Sequence, residues 1–575
     1  MLDRTLGYRA PLLWLVLPFL IGLAIGQAAP MAPVGWLLAG ALLATGIAAW
    51  TARREPRGWA VALGAAMLLG GWASYALHRQ RLADWEDLPP REVELTLQVE
   101  RIFPQKDPRK ASGLAKVVVE APVPENSERR IQEVDGADPA DARRPLPPEE
   151  GSLWRDLGGQ RISYAFTLRA GQTAPLRSAV VRAAGVLTVL PRDPGPDSFD
   201  GYLANSGINF RLNRGRVLRE VTAASAYARF CDRAAARFST ILGYGIVRKR
   251  PELTAVYRAM MLGQQQELSS AQTLRFQQSG TMHLFSISGQ HIAVIAGGLQ
   301  ALLSLVRLPR RMQAPLGFAA LWLYVDITGD APSAIRALVM VGFLQLSLAL
   351  RLPANPLAAL TLSAVFTAVR SPLQVFSASF QMSYGIVAGL LLLGLPLAAE
   401  WRAHWAPFRD LPEAGRSRWQ RLAASAWNGG ASALALGLAA TLVGSVSGVT
   451  FFQLLTPASL AINLILIPVS SLVIMGGFLS LLCGLSGLSA ASSLFNHAAA
   501  LVLWGADVLV QGFVRLPIAW LNARFVLPWL GPVVLALLLA SLLFGYQVGW
   551  ARRFGGFWPP FLLTALALGL GVRFG

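Results

Sequence analysis

The segment PASLAINLILIPVSSLVIMGGFLSLLCG, residues 457–484, is 28 residues long and contains no charged side chain. An α-helix rises about 1.5 Å per residue, so a helix of this length crosses the roughly 30 Å apolar layer of a bilayer. Similar apolar segments recur before and after it along the chain. The sequence therefore predicts a membrane protein built from many α-helical spans.

The apolar segments give a count of about 11–13 spans. Two of them, 314–328 and 355–369, have only about 15 residues, so they are either short spans or re-entrant segments. The composition agrees with a membrane protein, because 54% of the residues are hydrophobic and 14% are charged, against about 25% charged in soluble domains. The predicted spans are 8–27, 33–50, 58–77, 283–306, 314–328, 333–350, 355–369, 374–398, 426–447, 457–484, 490–514, 528–546 and 556–572.

The net charge of +19 does not by itself indicate a nucleic-acid partner. Residues 91–220 contain 20 Lys or Arg and 18 Asp or Glu, a balance of +2, which leaves +17 elsewhere. Much of this excess lies in short loops beside apolar segments, where basic residues mark the cytoplasmic side. Every strongly basic loop then falls on one side of the membrane. This predicts a cytoplasmic N-terminus and an extracytoplasmic region after residue 77.

The polar region after the third span is predicted to be a small extracytoplasmic β domain. Apolar and polar residues alternate in 93–100 and 161–169, which is the period of half-buried strands. Further strand candidates are 114–120, 180–190 and 208–219. About five short strands favour a Greek-key barrel of the OB type, with a sandwich as the alternative. Residues 121–151, rich in proline and charge, are predicted to be a disordered loop.

Four regions follow from this pattern: a three-span region 1–79, an OB-like domain 80–220, a helical connector 221–282 and a membrane domain 283–575. The start of the connector has an amphipathic helical pattern, with apolar residues on one face and three arginines on another. Such a helix lies on a membrane surface or packs like any other helix, and the pattern supports both. The residues concerned are Tyr227, Phe230, Ala234 and Phe238 on the apolar face and Arg229, Arg233 and Arg237 on the other.

Polar residues cluster where the fourth span begins, in QQSGTMHLFSISGQHIAV, residues 277–294. Polar groups at membrane depth are costly and face a partner or a wet path. On a continuous helix, His283 and His291 lie about 12 Å apart, too far to share one metal ion. Only a break at Ser288 and Gly289 would bring them together. Interhelical hydrogen bonding and contact with a transported substrate remain equally supported alternatives.

A second polar passage, DITGDAPSAIRA at 326–337, places Arg336 just inside the next span. A charge there costs about 3 kcal/mol or more unless it is compensated. Asp326 or Asp330 is the expected local partner in an ion pair. The alternative is that Arg336 faces a polyanion in a pore.

These passages resemble motifs of the ComEC competence proteins. HLFSISGQHIAVIAGG (283–298) resembles their H-L-x-x-I-S-G-x-H motif, and GDAPSAIRA (329–337) resembles their G-x-x-x-S-x-x-R-A segment. The resemblance continues, in the family's order, in SPLQVFSASFQMSYGIVAGL (371–390) and LTPASLAINLILIPV (455–469). It also includes PGPDSFDGYLANSGI (194–208), which is similar to the segment that closes the family's extracytoplasmic domain.

The resemblance implies a channel that passes single-stranded DNA into the cytoplasm during natural transformation, with the OB-like domain guiding the strand. It also implies an external DNA receptor, a separate nuclease and a cytoplasmic helicase or single-strand-binding protein as partners, besides membrane lipid. No catalytic residue, metal or other cofactor is predicted. The residues expected along the DNA path are His283, Ser286, Ser288, Gly289, His291, Ser333, Arg336, Gln381, Ser383 and Asn463.

Two motifs are missing from the sequence. Many family members carry a metallo-β-lactamase-like domain with H-x-H-x-D-H metal ligands, and this chain has five scattered histidines and no such motif. It also lacks the G-x-x-x-x-G-K-[ST] signature of a P-loop ATPase. We therefore expect a member of the family without the nuclease domain. The alternatives are a secondary transporter of another solute and a membrane-embedded hydrolase.

Overall fold

The computed structural model describes residues 6, 10–29, 33–79, 90–118, 157–191 and 198–574 of the 575. These residues form a helical unit and a barrel unit, whose boundaries fall near residues 80 and 234. The predicted disordered loop at 121–151 lies outside the described residues.

Three apolar helices precede the barrel: α1 (Leu13–Ala28), α2 (Val34–Thr51) and α3 (Pro56–His78). Pro56 stands at the first position of α3, where a helix needs no backbone N–H donor. Gly22 of α1 and Gly71 of α3 allow the two helices to touch, because a Cβ on either glycine would lie about 2 Å from a backbone oxygen of the other helix.

The barrel consists of five strands in the closed order β1-β2-β3-β5-β4. All neighbouring strands are antiparallel except β3 and β5, which are parallel. A short helix, α4 (Phe199–Asn205), precedes the last strand and is capped by the Ser198 side chain. The strands are β1 (Arg91–Phe103), β2 (Lys110–Val117), β3 (Arg161–Thr167), β4 (Val180–Val189) and β5 (Phe210–Thr222). The predicted small OB-type barrel is confirmed.

The interior of the barrel is filled by the inward side chains of the alternating strands. Tyr164 and Phe166 of β3 stack with ring centroids 4.5 Å apart, and both are almost fully buried. Two glycines leave room for these rings: a Cβ on Gly113 would lie 2.7 Å from the Tyr164 hydroxyl, and one on Gly215 would lie 2.6 Å from the Phe166 ring.

Three helices connect the barrel to the second group of membrane helices: α5 (Ala226–Leu242), α6 (Pro251–Leu262) and α7 (Ser270–Gln278). The predicted apolar face of α5 is exposed at Tyr227 and Phe230, where 48% and 46% of the side chain is accessible. The exposure does not decide between membrane contact and ordinary packing for α5, so both stay predictions.

The remaining helices follow one another along the chain. The first five are α8 (Gly289–Leu305), α9 (Arg310–Ile327), α10 (Pro332–Ala349), α11 (Pro356–Arg370) and α12 (Ala378–Trp405), which includes a π-helical turn at Leu390–Gly394. The others are α13 (Arg418–Phe452), α14 (Ser459–Leu485), α15 (Ser489–Val514), α16 (Leu530–Val548), α17 (Trp550–Phe554) and α18 (Trp558–Gly571). A small three-stranded sheet consists of β6 (Leu454–Leu455), β7 (Leu521–Phe525) and β8 (Val572–Phe574). In the sequence, β6 follows α13, β7 precedes α16 and β8 follows α18.

Each of the thirteen apolar segments predicted from the sequence corresponds to one of these helices. Among the described residues, eight helices are long and apolar enough to cross a membrane: α2, α3, α10, α12, α13, α14, α15 and α16. The helices α1, α11 and α18 are apolar but shorter. The protein is thus a helical membrane protein with a small β-barrel, as the sequence predicts. The segment expected to be helical from residue 283 differs, because α8 begins only at Gly289.

Candidate functional site

The start of α8 is fixed by a contact between its cap residue and a histidine. The backbone N–H of Ser288 donates to Nδ1 of His291 over 3.2 Å, and the Ser288 hydroxyl lies 2.9 Å from the same nitrogen. His291 thus occupies the position at which a glutamine or glutamate commonly reaches back to a helix cap. The span expected from residue 283 is interrupted: His283 lies in a separate 3₁₀ turn, Met282–Leu284, and the helix begins at Gly289, so the break at Ser288 and Gly289 that the sequence analysis considered is present.

The contact with Ser288 also determines which nitrogen of His291 carries the proton. A backbone N–H can only donate, so Nδ1 is the acceptor and the neutral ring carries its proton on Nε2. His291 is fully buried, and Nε2 has no hydrogen-bond partner among the described residues. An unpartnered buried N–H donor is uncommon in folded proteins and calls for an explanation. His283, by contrast, is exposed, and its carbonyl accepts a 3.4 Å hydrogen bond from Ser286.

The second motif packs directly against the first. The hydroxyl of Ser333, in the first turn of α10, donates to the carbonyl oxygen of Ile287 over 2.7 Å. Gly289 lies close to α10, because a Cβ built on it would be 3.8 Å from the Cβ of Ala337. The starts of α8 and α10 are therefore neighbours.

Arg336 is buried, with 3% of its surface exposed, and links α10 to α12. Its Nη2 donates to the carbonyl oxygen of Ser379 over 2.8 Å and to the Ser379 hydroxyl over 2.9 Å. Its Nε has no hydrogen-bond partner. The sequence predicted an acidic partner from the preceding loop, whereas these two bonds join Arg336 to the first turn of α12.

Tyr384 of α12 lies beside Arg336 and extends the polar cluster to α11. The guanidinium carbon of Arg336 is 5.9 Å from the centre of the Tyr384 ring. The Tyr384 hydroxyl lies 2.9 Å from the hydroxyl of Ser363 and 3.1 Å from that of Thr367. Ser363 also donates to the carbonyl oxygen of Arg336. We call His291, Arg336, Ser363, Ser379 and Tyr384 the motif cluster; the first three are buried, Tyr384 is half-buried and Ser379 is exposed.

Gln290, in the first turn of α8, contacts the fourth motif segment, which lies in α14. The side-chain amide of Gln290 donates to the carbonyl oxygen of Ile467 and to the hydroxyls of Ser470 and Ser471, each over 2.9 Å. Asn463 lies one helical turn before Ile467, and its Oδ1 is buried without a hydrogen-bond partner.

The remaining predicted residues lie on α12. The amide of Gln381 donates to the carbonyl oxygen of Val375 over 3.3 Å, and therefore holds the turn before the helix. Ser383 is half-buried next to Tyr384. The structure thus brings the four motif segments of the helical unit together, and the ion pair of Arg336 with Asp326 or Asp330 stays a prediction.

Sequence reasoning missed Gln290, Ser363, Ser379 and Tyr384 as site residues. Three of them lie inside quoted motifs, so the signal was present but indistinguishable from ordinary helix residues. Ser363 lies outside every motif, and nothing in the sequence marks it. In the part of the chain that the structure describes, no three His, Cys, Asp or Glu residues group in a way that could hold a metal ion.

The barrel carries a separate surface of aromatic rings and arginines, which we call the aromatic patch. Phe199, 54% exposed, stacks on Tyr202 with ring centroids 5.9 Å apart, and Phe103 meets both rings edge-on. The guanidinium carbon of Arg211 is 5.4 Å from the centre of the Phe199 ring, and that of Arg101 is 5.8 Å from the centre of the Phe103 ring. Arg211 also pairs with Asp200. Such a surface suits the flat faces of unpaired bases.

The fold and the site together define a polytopic membrane protein with a small β-barrel and a polar cluster at the starts of its helices. The chain belongs to the competence protein family, whose model matches residues 260–552, about half of the chain. It is also 28% identical over 142 residues to ComE operon protein 3 of Bacillus subtilis (strain 168). That match covers 25% of this chain and only 18% of the relative. No solved structure matches the chain significantly.

Proposed function

We propose that this protein is a channel that passes single-stranded DNA across the bacterial inner membrane during natural transformation. The observation that carries the proposal is the convergence of four motif segments, on α8, α10, α12 and α14, in one polar region of a competence-family membrane domain. The name of the relative, ComE operon protein 3, points in the same direction.

The polarity of the motif cluster supports a polyanionic substrate. Burying a guanidinium group at membrane depth costs several kcal/mol, and such groups usually mark an ion or substrate pathway. Arg336 and His291 both retain a buried donor without a partner. A strand of phosphodiesters would supply acceptors to both donors during passage.

The aromatic patch supports capture of the single strand before it enters the membrane domain. Stacking of one base on an aromatic side chain contributes about 1–3 kcal/mol and tolerates any base sequence. Phe199 offers an open ring face for this contact, and Arg101 and Arg211 lie beside the rings as cations for the phosphates.

The proposed orientation has a cytoplasmic N-terminus and the barrel on the outer side of the bacterial inner membrane, because this places every strongly basic loop inside. A cysteine at Gln105 should then react with an impermeant maleimide in intact spheroplasts, and one at Ala414 only after lysis. Both are introduced after replacement of Cys231 and Cys483. The reverse labelling pattern would overturn the orientation.

In this scheme an external receptor delivers the DNA, a separate nuclease removes the second strand, and a cytoplasmic helicase or single-strand-binding protein takes up the product. The test is deletion of the gene, followed by exposure of cells to labelled double-stranded DNA. We expect label to remain bound at the surface while nuclease-protected label inside the cytoplasm disappears, and the wild-type gene should restore it. Normal uptake in the deletion strain would remove the proposal, and loss of a small solute's transport instead would favour a transporter.

A further inference from the structure

Three helices of the membrane domain begin side by side. The helices α8, α10 and α12 begin at Gly289, Pro332 and Ala378. Hydrogen bonds tie these ends together: Ser333 reaches Ile287 just before α8, and Arg336 reaches Ser379 in the first turn of α12. Three positive helix ends are therefore adjacent.

Positive charge exceeds negative charge at these three helix ends. Each helix N-terminus carries the equivalent of about half a positive charge, which proteins usually complement with an acidic residue in the first turn. None of these three first turns contains an acidic residue. Arg336 adds a full positive charge one turn into α10, where a cation is unfavourable. One carboxylate, that of Asp330, lies two residues before α10 and offsets part of this charge.

Two unpartnered donors lie on the first two turns of these helices. Nε2 of His291, in the first turn of α8, carries a proton because Nδ1 accepts from Ser288. Nε of Arg336 always carries one. His291 is 0% exposed and Arg336 is 3% exposed, so water does not readily satisfy either donor. In the part of the chain that the structure describes, neither donor has a hydrogen-bond acceptor, and Asp330 is the carboxylate nearest in sequence to the three helix ends.

We propose that the first turns of α8, α10 and α12 form a binding site for the phosphodiester groups of single-stranded DNA, with His291 and Arg336 as its donors. This inference rests on the proposed function and assigns the contact that the strand makes in the channel. Arg336 is held in the present conformation by the neutral carbonyl and hydroxyl of Ser379. A phosphate oxygen is a stronger acceptor for a guanidinium than either of these, so the arriving strand replaces Ser379 as the partner.

The test uses the full-length protein in lipid nanodiscs and measures the affinity for a labelled twenty-nucleotide dT oligonucleotide as a function of salt. Loss of one phosphate contact lowers the slope of log affinity against log salt concentration by about 0.7 for a single strand. We expect Arg336→Gln to lower both the affinity, by about tenfold or more, and the slope. His291→Leu removes a neutral donor and should lower the affinity with little change in slope.

Three further variants test whether the effect on DNA binding is specific to Arg336. Arg336→Lys retains the charge, so it should keep the slope while losing affinity, and it also serves where the glutamine variant does not fold. Phe199→Ala in the aromatic patch should lower affinity at an unchanged slope, since it removes stacking only. Arg421→Gln removes an exposed arginine at the start of α13 and should leave both quantities unchanged.

The outcomes separate the two proposals. An unchanged affinity and slope in Arg336→Gln, with wild-type protein still binding the oligonucleotide, would overturn the phosphate site and leave the channel standing. Equal loss of affinity in Arg336→Gln and Arg421→Gln would also overturn it, because charge anywhere would then suffice. Absence of any binding by the wild-type protein, together with normal uptake in the deletion strain, would overturn the channel itself.

Discussion

The helical unit contains two buried polar clusters that differ in how fully their donors and acceptors are paired. The first, which we call the asparagine cluster, consists of Tyr257, Ser480, Ser492 and Asn496, all with 0% exposure. The second is the motif cluster around His291 and Arg336. Their comparison separates polar groups that hold the fold together from those that remain available to a ligand.

In the asparagine cluster, every polar atom of the Asn496 side chain is used. Its amide nitrogen donates to the carbonyl oxygens of Ile241 and Tyr244 over 2.8 and 3.2 Å, and its oxygen accepts from Ser480 over 2.6 Å and from Tyr257 over 3.4 Å. Ser480 and Ser492 lie 2.9 Å apart. These bonds join the end of α5, α6, α14 and α15, so the cluster fixes the packing of four helices.

In the motif cluster, by contrast, His291 and Arg336 each retain one donor without a partner. A fully paired buried network makes the native arrangement more rigid, whereas a partly paired one carries a cost that the fold does not recover by itself. We infer from this difference that the asparagine cluster stabilises the helical unit, whereas the motif cluster is the candidate for completion by the proposed ligand.

The largest effect that follows from this contrast is on Asn496. Asn496→Leu leaves two buried carbonyls and two hydroxyl groups without their partner, and each unpaired buried group costs about 1–3 kcal/mol. We expect the free energy of unfolding to fall by several kcal/mol and the protein to be depleted from the membrane, measured by immunoblot and by thermal aggregation in detergent. Asn428→Leu, at an exposed position of α13, is the matched control and should leave the amount unchanged. A stable Asn496→Leu protein would refute a structural role for this cluster.

His291 should behave in the opposite way. His291→Leu removes the reach-back to Ser288, which costs about 1 kcal/mol, and this is too little to deplete the protein from the membrane. The same substitution removes the buried Nε2 donor, so we expect transformation to fall by about tenfold or more at a normal protein level. His497→Leu, which changes an exposed histidine on α15, is the control. If His291→Leu lowers the amount of protein and transformation in proportion, His291 has a structural role like that of Asn496.

Local patterns explain which parts of this molecule the sequence predicts. The five barrel strands follow from period-two alternation, and the spans follow from the length of apolar segments, because both signals lie within a few consecutive residues. The motif segments became visible through resemblance to a family. Their partners did not, since Arg336 and Ser379 lie 43 residues apart and Asn496 and Ile241 lie 255 apart. The start of α8 was misjudged because a histidine completes its capping box, where glutamine or glutamate is usual.

The barrel offers a third case that sharpens the comparison, because Tyr164 is also a buried polar group without a partner. Its hydroxyl lacks a hydrogen bond, and the residue is 1% exposed. Its neighbours along β3, Ser163 and Ala165, are neither motif residues nor charged. An unpaired atom alone therefore does not identify a binding site; at His291 and Arg336 it coincides with converging helix ends and a buried cation.

Tyr164→Phe consequently has the smallest expected effect, and one of opposite sign. The substitution removes a desolvated hydroxyl without changing the ring, so we expect the barrel to gain about 1 kcal/mol, measured by hydrogen exchange of β2 and β3 in the full-length protein. Burial raises the pKa of Tyr164 above its ordinary value of about 10. The unfolded chain therefore ionises first as the pH rises, and the wild-type barrel loses stability above about pH 10. Tyr164→Phe should remove that part of the pH dependence and leave transformation normal. A loss of transformation at unchanged barrel stability would show that Tyr164 has a function. It would then no longer be an example of an unpaired buried polar atom without one.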